Sequence, residues 1–576
     1  MSVLHHNMQS MNIFTSQKFR ACLIGLGLLL NTSLAFTQQL DYKSLQSSIQ
    51  AVVKKVSGAT VAVSDYDTLK NRVSGLTFSA VVVSKDGIIL TAAHAAKPHQ
   101  IYQVAFPDGK KVLAIGLGSN NVNDAAIIKI MSPGNWPYAE MGWSGNLLPF
   151  QPCISMGYPQ NMKQSGHPLV RFGYINESDI NPGFLCNTAL MEPGDSGGPL
   201  FDLNGRVIGI HSRIVQSLDA NFEVPVDIFR KNWDKLLVQQ TYIYPDSSDQ
   251  KKLDNLSQNT SKPIPALENM PENFTTVLSK IAPAAINIAS QLKGDESSAL
   301  GALVALPNAA SKNKSYIISK SSIVGNDSIF VSIKEESLPA TAIARDSLKD
   351  LVLLEVAADL KNGIDILAGS YSNDMYKDAG TFLLSPGTNY GSNRVSILSS
   401  PTIGFIPAGW KSYLGVSSIE KNNTLLINQI DAFGPAKSAK LKPGDKIESI
   451  DGVKVTTCSD FEWLVSTIRP STTIQFKGKR RWFGYTKKIT LKQKAFSQPS
   501  PQHMAEQFEG GKSERKDGFK KAFSHDARLY PSECGGPVFD GEGNFMGINI
   551  ARISRTTSLA IPAEEVRLFL KEALKK

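Results

Sequence analysis

The chain has 576 residues, 42% of them hydrophobic and 19% charged, and a net charge of +10. That length holds roughly three or four domains. The balance of apolar and charged residues excludes a disordered chain, and glycines and prolines spread along it suit many turns and short strands.

At the start, Lys18 and Arg20 precede the apolar run "ACLIGLGLLLNTSLAF". The run is shorter than the about 20 residues that a membrane span needs, and it ends in small side chains. Residues 1–37 are therefore predicted to be a secretory signal, cut after Ala35 with Ser33 at the −3 position, and Met8 or Met11 would be the true start. No later stretch is long and apolar enough to insert, so the expectation is an extracytoplasmic protein, periplasmic or secreted, without stable membrane insertion. Signal removal would lower the net charge to about +8.

Residues 38–243 form the first predicted domain. Short β-branched runs such as "ATVAVS", "SAVVVS" and "RVIGIHS", broken by Gly, Asn and Asp, signal an all-β barrel or sandwich. Three motifs follow in order: "LTAAH" with His94, "NDAAIIKI" with Asp124, and "EPGDSGGPLF" with Ser196. Acyl transfer by serine needs a base, a carboxylate to orient that base, and amide donors for the oxyanion. His94, Asp124 and Ser196 supply the triad. Gly194 can turn its N–H inward because it lacks a β-carbon, so the N–H groups of Gly194 and Ser196 would form the oxyanion hole. His167 and His211 are near the site in sequence; His211 fits either a pocket wall or the surface. Cys22 lies in the signal, and Cys153, Cys186, Cys458 and Cys534 show no zinc spacing. Cys153 and Cys186 fit either a bridge or two buried free thiols. No metal or organic cofactor is implied.

Residues 244–273 are polar, proline-containing and without period, which predicts a linker. Beyond it the chain repeats itself. "DGIILTAAHAA" returns as "KSYIISKSSIV", "NVNDAAIIKI" as "SLKDLVLLEV", and "GDSGGPLFDLNGRVIGIHSRI" as "SECGGPVFDGEGNFMGINIARI". Even "VPVDIFRKNWDKLL" has its counterpart in "IPAEEVRLFLKEAL". The second copy is predicted in two parts, 274–405 and 496–576.

Residues 406–495 interrupt it. "YLGV", "GPAKSAKLKPGDKIESIDG" and "CSDFEWLVSTI" resemble a PDZ domain. The resemblance implies that Tyr413, Leu414, Gly415 and Val416 hold a C-terminal carboxylate while the peptide adds a strand. The basic stretch "KGKRRWFGYTKK" is expected to be a solvated hairpin tip in this domain rather than a nucleic-acid site.

In the second copy, His94 becomes Ser322, Asp124 becomes Asp350, Gly194 becomes Ser532 and Ser196 becomes Cys534. A thiol without a base is a poor nucleophile near neutral pH. His525, the one histidine close in sequence, aligns with Asn187 rather than with the base. The second copy is therefore expected to be an inactive framework with Cys534 half-buried.

The motifs from about Asp41 to Leu237 resemble the trypsin-like serine proteases of the Deg/HtrA kind, whose triad follows the same order. The resemblance implies a mainly β fold: two chymotrypsin-like double β-barrel domains plus one α+β PDZ domain. It also implies an endopeptidase acting on unfolded or C-terminally exposed proteins, a homo-oligomer being possible. The rival expectation is a catalytically inert PDZ-containing binding scaffold. In the family the PDZ follows an active protease domain; here it interrupts the degenerate copy.

Overall fold

Alternation of apolar and polar side chains along short strands sets the architecture. The computed structural model describes residues 40–160, 166–177, 182–218, 221–243, 261–306, 313–333, 336–388, 392–400, 404–406, 412–421, 424–468, 470–493 and 504–575. The predicted signal and residues 244–260 of the predicted linker lie outside them.

In the first copy, strands Thr60–Asp67, Arg72–Val82, Ile88–Ala92, Ile101–Ala105, Lys111–Asn120 and Ala125–Ile130 form an antiparallel sheet that closes on itself where the last two pair. Val61, Val63, Ala80, Val82 and Ile128 are two apart within their strands or face one another across them, and all are fully buried in one core, as the period of a strand requires. Strands Pro152–Gly157, Leu169–Asn176, Leu185–Asn187, Pro199–Phe201, Val207–Ile214 and Asn221–Pro225 close a second barrel. Closure leaves no sheet edge exposed.

The second copy repeats this plan. Ala285–Leu292, Asp295–Val304, Ser315–Lys320, Asp327–Ile333, Glu336–Asp346 and Leu351–Val356 close a barrel. A seven-stranded sheet follows, running from Arg394–Ile397 at one end to Gly404–Ile406 at the other. Gly404–Ile406 pairs with Phe519–His525, and the whole inserted domain lies between those two partners. An insertion whose ends are neighbouring paired strands leaves the host barrel's register intact.

The inserted domain is a sheet of Val416–Lys421, Thr424–Ile430, Lys446–Ile450, Thr473–Arg480 and Phe483–Thr490, with helices Pro435–Ser438 and Cys458–Thr467. Its core includes Leu414, Ile427, Ile447, Phe461 and Phe476. Asp445, in the predicted Gly-Asp turn, accepts from Arg480 at 2.7 and 2.8 Å and from the Tyr485 hydroxyl at 2.7 Å. Burial works against its charge, but these partners outweigh it and hold the carboxyl below its ordinary range. At the tip of the basic hairpin, Trp482 and Phe483 are exposed.

Helix Tyr42–Val56 carries a buried stripe of Leu45, Ile49, Val52, Val53 and Val56, which is helical spacing, and Lys54 and Lys55 end it where the helix dipole favours cations. Its far end reaches the first copy, Lys55 Nζ donating to the Asn204 carbonyl at 2.9 Å. Its middle reaches the second: Gln46 Oε1 accepts from Phe382 N at 2.7 Å and Gln50 donates to Thr381 Oγ1 at 2.9 Å. The predicted linker is also docked from Ser261 onward. The Ser261 carbonyl accepts from Gln151, Ile264 N donates to the Phe150 carbonyl at 2.8 Å, and Leu267 and Phe274 are buried. Leu267 anchors that polar stretch from within and Phe274 anchors it just beyond its end.

Ile49→Ala removes a fully buried side chain from the helix that bridges the copies. Its expected cost is about 2–5 kcal/mol, read as an earlier denaturation midpoint by tryptophan fluorescence.

Candidate active site

Asp124 sits in a tight turn between two strands with φ +56°. Asn120 Oδ1 shapes that turn by accepting from Val122 N at 3.0 Å. The turn aims the Asp124 carboxylate at His94: Oδ1 accepts the His94 backbone N–H at 2.9 Å, and His94 Nδ1 lies 3.0 and 2.9 Å from Oδ1 and Oδ2. The Ser212 hydroxyl donates to Oδ2 as well. Burial raises the Asp124 pKa, yet the bonds to His94 and Ser212 outweigh it and leave the carboxyl below its ordinary value. An ionised Asp124 fixes the proton of His94 on Nδ1 and frees Nε2 to accept another.

His94 and Ser196 line one cleft of about 260 Å³, with Met191 to Pro193 on one side and His211 to Ile214 on the other. The nucleophile loop is held by Asp195 N to Glu192 O (3.0 Å), Gly197 N to His211 O (2.8 Å) and Gly198 N to Asp195 O (2.8 Å). Gln160 N donates to the Pro193 carbonyl at 2.9 Å. A trans peptide carries its N–H opposite its C=O, so the Gly194 N–H points away from Gln160. Gly194 has φ +103°, and a β-carbon there would lie 2.6 Å from Gln160 N. Glycine is a steric requirement at this position.

His211 is not on the surface. It stands in the lining of the cleft with its side chain fully buried, Nε2 2.9 Å from Ser155 Oγ and Nδ1 2.6 Å from Glu223 Oε2, while Asn187 donates to Glu223 Oε1 at 2.7 Å. His167 is exposed. Cys153 and Cys186 are buried free thiols.

In the second copy the scaffold of the site persists. Asp350 has φ +60°, and its Oδ1 accepts the Ser322 backbone N–H at 2.8 Å, as Asp124 does from His94. The rest differs. Ser322 Oγ donates to Asp350 Oδ2 at 2.9 Å and the fully buried Lys320 ammonium at 2.7 Å. Lys320 also donates to the carbonyls of Ile550 (2.6 Å) and Arg515 (2.9 Å), which occupies all three of its protons. Arg515 Nε approaches Asp350 to 3.5 Å. Cys534 is fully buried rather than half-buried, because Ser513 covers it with Oγ 3.6 Å from Sγ. Burial pushes the thiol upward, against the pull of Lys320 and Ser513. Pro531–Glu533 is a 3₁₀ turn, so Cys534 N donates to the Pro531 carbonyl at 3.3 Å. His525 is fully buried and 3.4 Å from Ser396; burial pulls its pKa down to about 4.

In the inserted domain, Leu414 is buried and its carbonyl accepts from Ala436 N at 2.8 Å; the Gly415 carbonyl accepts from Asp431 N at 2.9 Å. Burial and Asp431 push the Tyr413 phenol up to about 12. Strand Val416–Lys421 ends its sheet opposite helix Cys458–Thr467, and Glu420 accepts from Cys458 N at 2.8 Å. Among the described residues Val416–Lys421 pairs with one strand only, so its outer edge is the one along which the expected peptide would lie.

Residues 78–210, which span His94, Asp124 and Ser196, match the trypsin-like peptidase domain, and residues 412–492 match the PDZ domain. The chain carries a trypsin-like peptidase domain and a PDZ domain. It is similar to a probable periplasmic serine endoprotease DegP-like of Halomonas elongata, 31% identical over 26% of this chain and 33% of that relative. It is similar also to serine protease HTRA1 of Xenopus tropicalis, 32% identical over 32% of this chain and 42% of the relative. For human serine protease HTRA4 the figures are 29% identity, 32% and 40%. The matched stretches thus span a third to about two fifths of these relatives' length.

Ser212, Lys320 and Arg171 were not singled out in the sequence. Their signals were a hydroxyl and two cations inside apolar strands, at "GIHSRI", "YIISKS" and "LVRFGYIN". In the folded chain, a thiol reagent is expected to modify half-exposed Cys458 and to leave Cys153, Cys186 and Cys534 protected until unfolding, as mapped by peptide mass spectrometry.

Proposed function

We propose that the first copy is a serine endopeptidase and the second a protease-like domain without catalysis. The observation that carries this reading is the pairing of His94 with a buried, ionised Asp124 at the edge of the cleft that also holds Ser196. Ser196 Oγ attacks the peptide carbonyl carbon and passes its proton to His94 Nε2. The carbonyl oxygen takes the negative charge, facing the N–H groups of Gly194 and Ser196. His94 then gives the proton to the leaving amine, and an ester to Ser196 remains. Water attacks that ester with His94 again as base, which restores the hydroxyl.

In the second copy a fully engaged ammonium stands beside Asp350 and the thiol is buried, so Cys534 lacks both base and access. Substrates are unfolded proteins or proteins with exposed C-termini, whose carboxylate the Tyr413–Val416 loop would take, and the protein works outside the cytoplasm. A protein substrate and this location accord with relatives named as probable periplasmic serine endoproteases.

The test is β-casein cleavage and labelling by a fluorophosphonate, which needs an activated serine. Ser196→Ala is expected to abolish both, and Cys534→Ala to leave both intact. The reverse result would move the active site to the second copy; a wild-type chain inert in both assays would favour the binding scaffold. Asp124→Asn is expected to lower kcat by about 10³–10⁴, because His94 then loses the partner that fixes its tautomer.

A further inference from the structure

Hairpin turns lie on protein surfaces, where water satisfies their polar groups. The turn between strands Phe545–Arg552 and Ser558–Pro562 does not. Ser554, Arg555, Thr556 and Thr557 are each 1–2% exposed. What covers them is the first copy. Arg555 donates from Nη1 to the Val215 carbonyl at 2.7 Å and from Nη2 to the Ser217 carbonyl at 3.0 Å. Thr556 Oγ1 accepts from Arg171 Nη2 at 3.3 Å. Arg171 Nη1 in turn lies 2.8 Å from Asp195 Oδ2, both side chains 1% exposed, and Asp195 Oδ2 also accepts the Glu192 N–H at 2.9 Å. Beside them Leu190 and Leu218 of the first copy pack with Phe508 of the second.

These contacts reach both walls of the cleft. One wall is the nucleophile loop, Met191 to Ser196; the other is Ser212 to Ile214, which runs on into Val215 and Ser217. A guanidinium is a rigid planar fork, so two carbonyls bound to one Arg555 keep a fixed separation. A buried carboxylate next to the nucleophile must keep its cation, so Asp195 ties Ser196 to Arg171. Among the described residues the lining of the cleft belongs to the first copy, and the turn Ser554–Thr557 is not part of it.

We infer that the turn Ser554–Thr557 gives the second copy its function: it positions the first copy's nucleophile loop and opposite wall, through Arg555 and through Thr556 acting on the Arg171–Asp195 pair. The inference rests on the reading of the first copy as a serine endopeptidase. Arg171, Arg555 and Thr556 are positioning residues; none touches substrate. The second copy has lost its chemistry and serves as an intramolecular support for its twin.

The test uses the full chain and the rate at which a fluorophosphonate acylates Ser196, followed over temperature beside thermal melting. Arg555→Ala is expected to slow acylation by about ten-fold or more at every temperature below its melting point, as a nucleophile misplaced by a fraction of an ångström would. A variant that only loses stability would acylate at the wild-type rate until it melts. Arg555→Lys keeps the buried charge without the fork and is expected to fall between the two. Thr556→Val keeps the shape and removes the acceptor; slower acylation is expected there too. These two variants decide the matter if Arg555→Ala fails to fold. Cys534→Ala, away from the turn, is expected to react like the wild type. Wild-type rates in folded Arg555→Lys and Thr556→Val would overturn the inference, and faster acylation would make the turn a plug. A wild-type chain that does not react at all would instead overturn the serine reading beneath it.

Discussion

A carboxylate beside a nucleophile has to be neutralised where water cannot reach it, and in this chain the neutralising cation is Arg171. Both members of the Arg171–Asp195 pair belong to the first copy and are buried, and Thr556 of the second copy accepts from Arg171 at 3.3 Å. Breaking such a pair by truncating one partner costs about 3–5 kcal/mol. Further contacts follow from the same constraint. Val170 N donates to the Ser399 carbonyl at 2.8 Å, Phe172 N to Asp526 Oδ2 at 3.1 Å, and Arg528 to the Thr188 carbonyl at 3.3 Å. The strand that carries Arg171 thus runs along the second copy. Burial pulls Arg555 down to about 10, against the opposing charge of Glu192, and it stays a cation at neutral pH. The joint between the copies includes directional hydrogen bonds, which specify one relative placement more sharply than an apolar contact does.

The second copy shows how a buried turn carboxylate is answered where no histidine stands beside it. Asp350 keeps the left-handed turn of Asp124 and the same backbone hydrogen bond. Without a histidine its buried charge would stand alone. Lys320, at the place of Ala92, supplies the counter-charge, and Arg515 adds a second cation. Both changes are legible as electrostatic repair: the turn survives because it joins two barrel strands, and the carboxylate survives because a cation now answers it.

Much of this was legible in the sequence, and what was missed has a common physical cause. Barrel strands announce themselves by two-residue alternation, and His94, Asp124 and Ser196 stand in short motifs whose residues are local. The repeat and the inserted domain were visible for the same reason. Contacts between distant segments leave no local period. Arg171 and Arg555 each stand in an ordinary strand or turn, and nothing nearby shows that the other copy covers them. Ser261 to Asn273 reads as linker because polar residues dominate there, whereas Leu267 within it and Phe274 just beyond it decide its packing. Cys534 reads as half-buried from its motif alone; Ser513, some twenty residues upstream and beyond the reach of the motif, closes over it.

The shared "GGP" shows why a motif can outlive its chemistry. Gly197 has φ +83°, and a β-carbon there would lie 2.3 Å from the Ser79 carbonyl; Gly535 has φ +102°, and a β-carbon there would lie 2.1 Å from the Leu300 carbonyl. Both glycines sit where the loop of one barrel meets a strand of the other. Each glycine N–H closes the same bond, Gly197 to His211 and Gly535 to Asn549. Such constraints come from packing two barrels together and hold whether or not a reaction follows. The positions at which the copies differ are among those the proposed reaction uses: Gly194, whose place Ser532 takes within a 3₁₀ turn, Ser196 and His94, while Asp124 keeps its counterpart in Asp350. The glycine pair therefore reports the fold, whereas the proposed activity depends on Ser196 and His94.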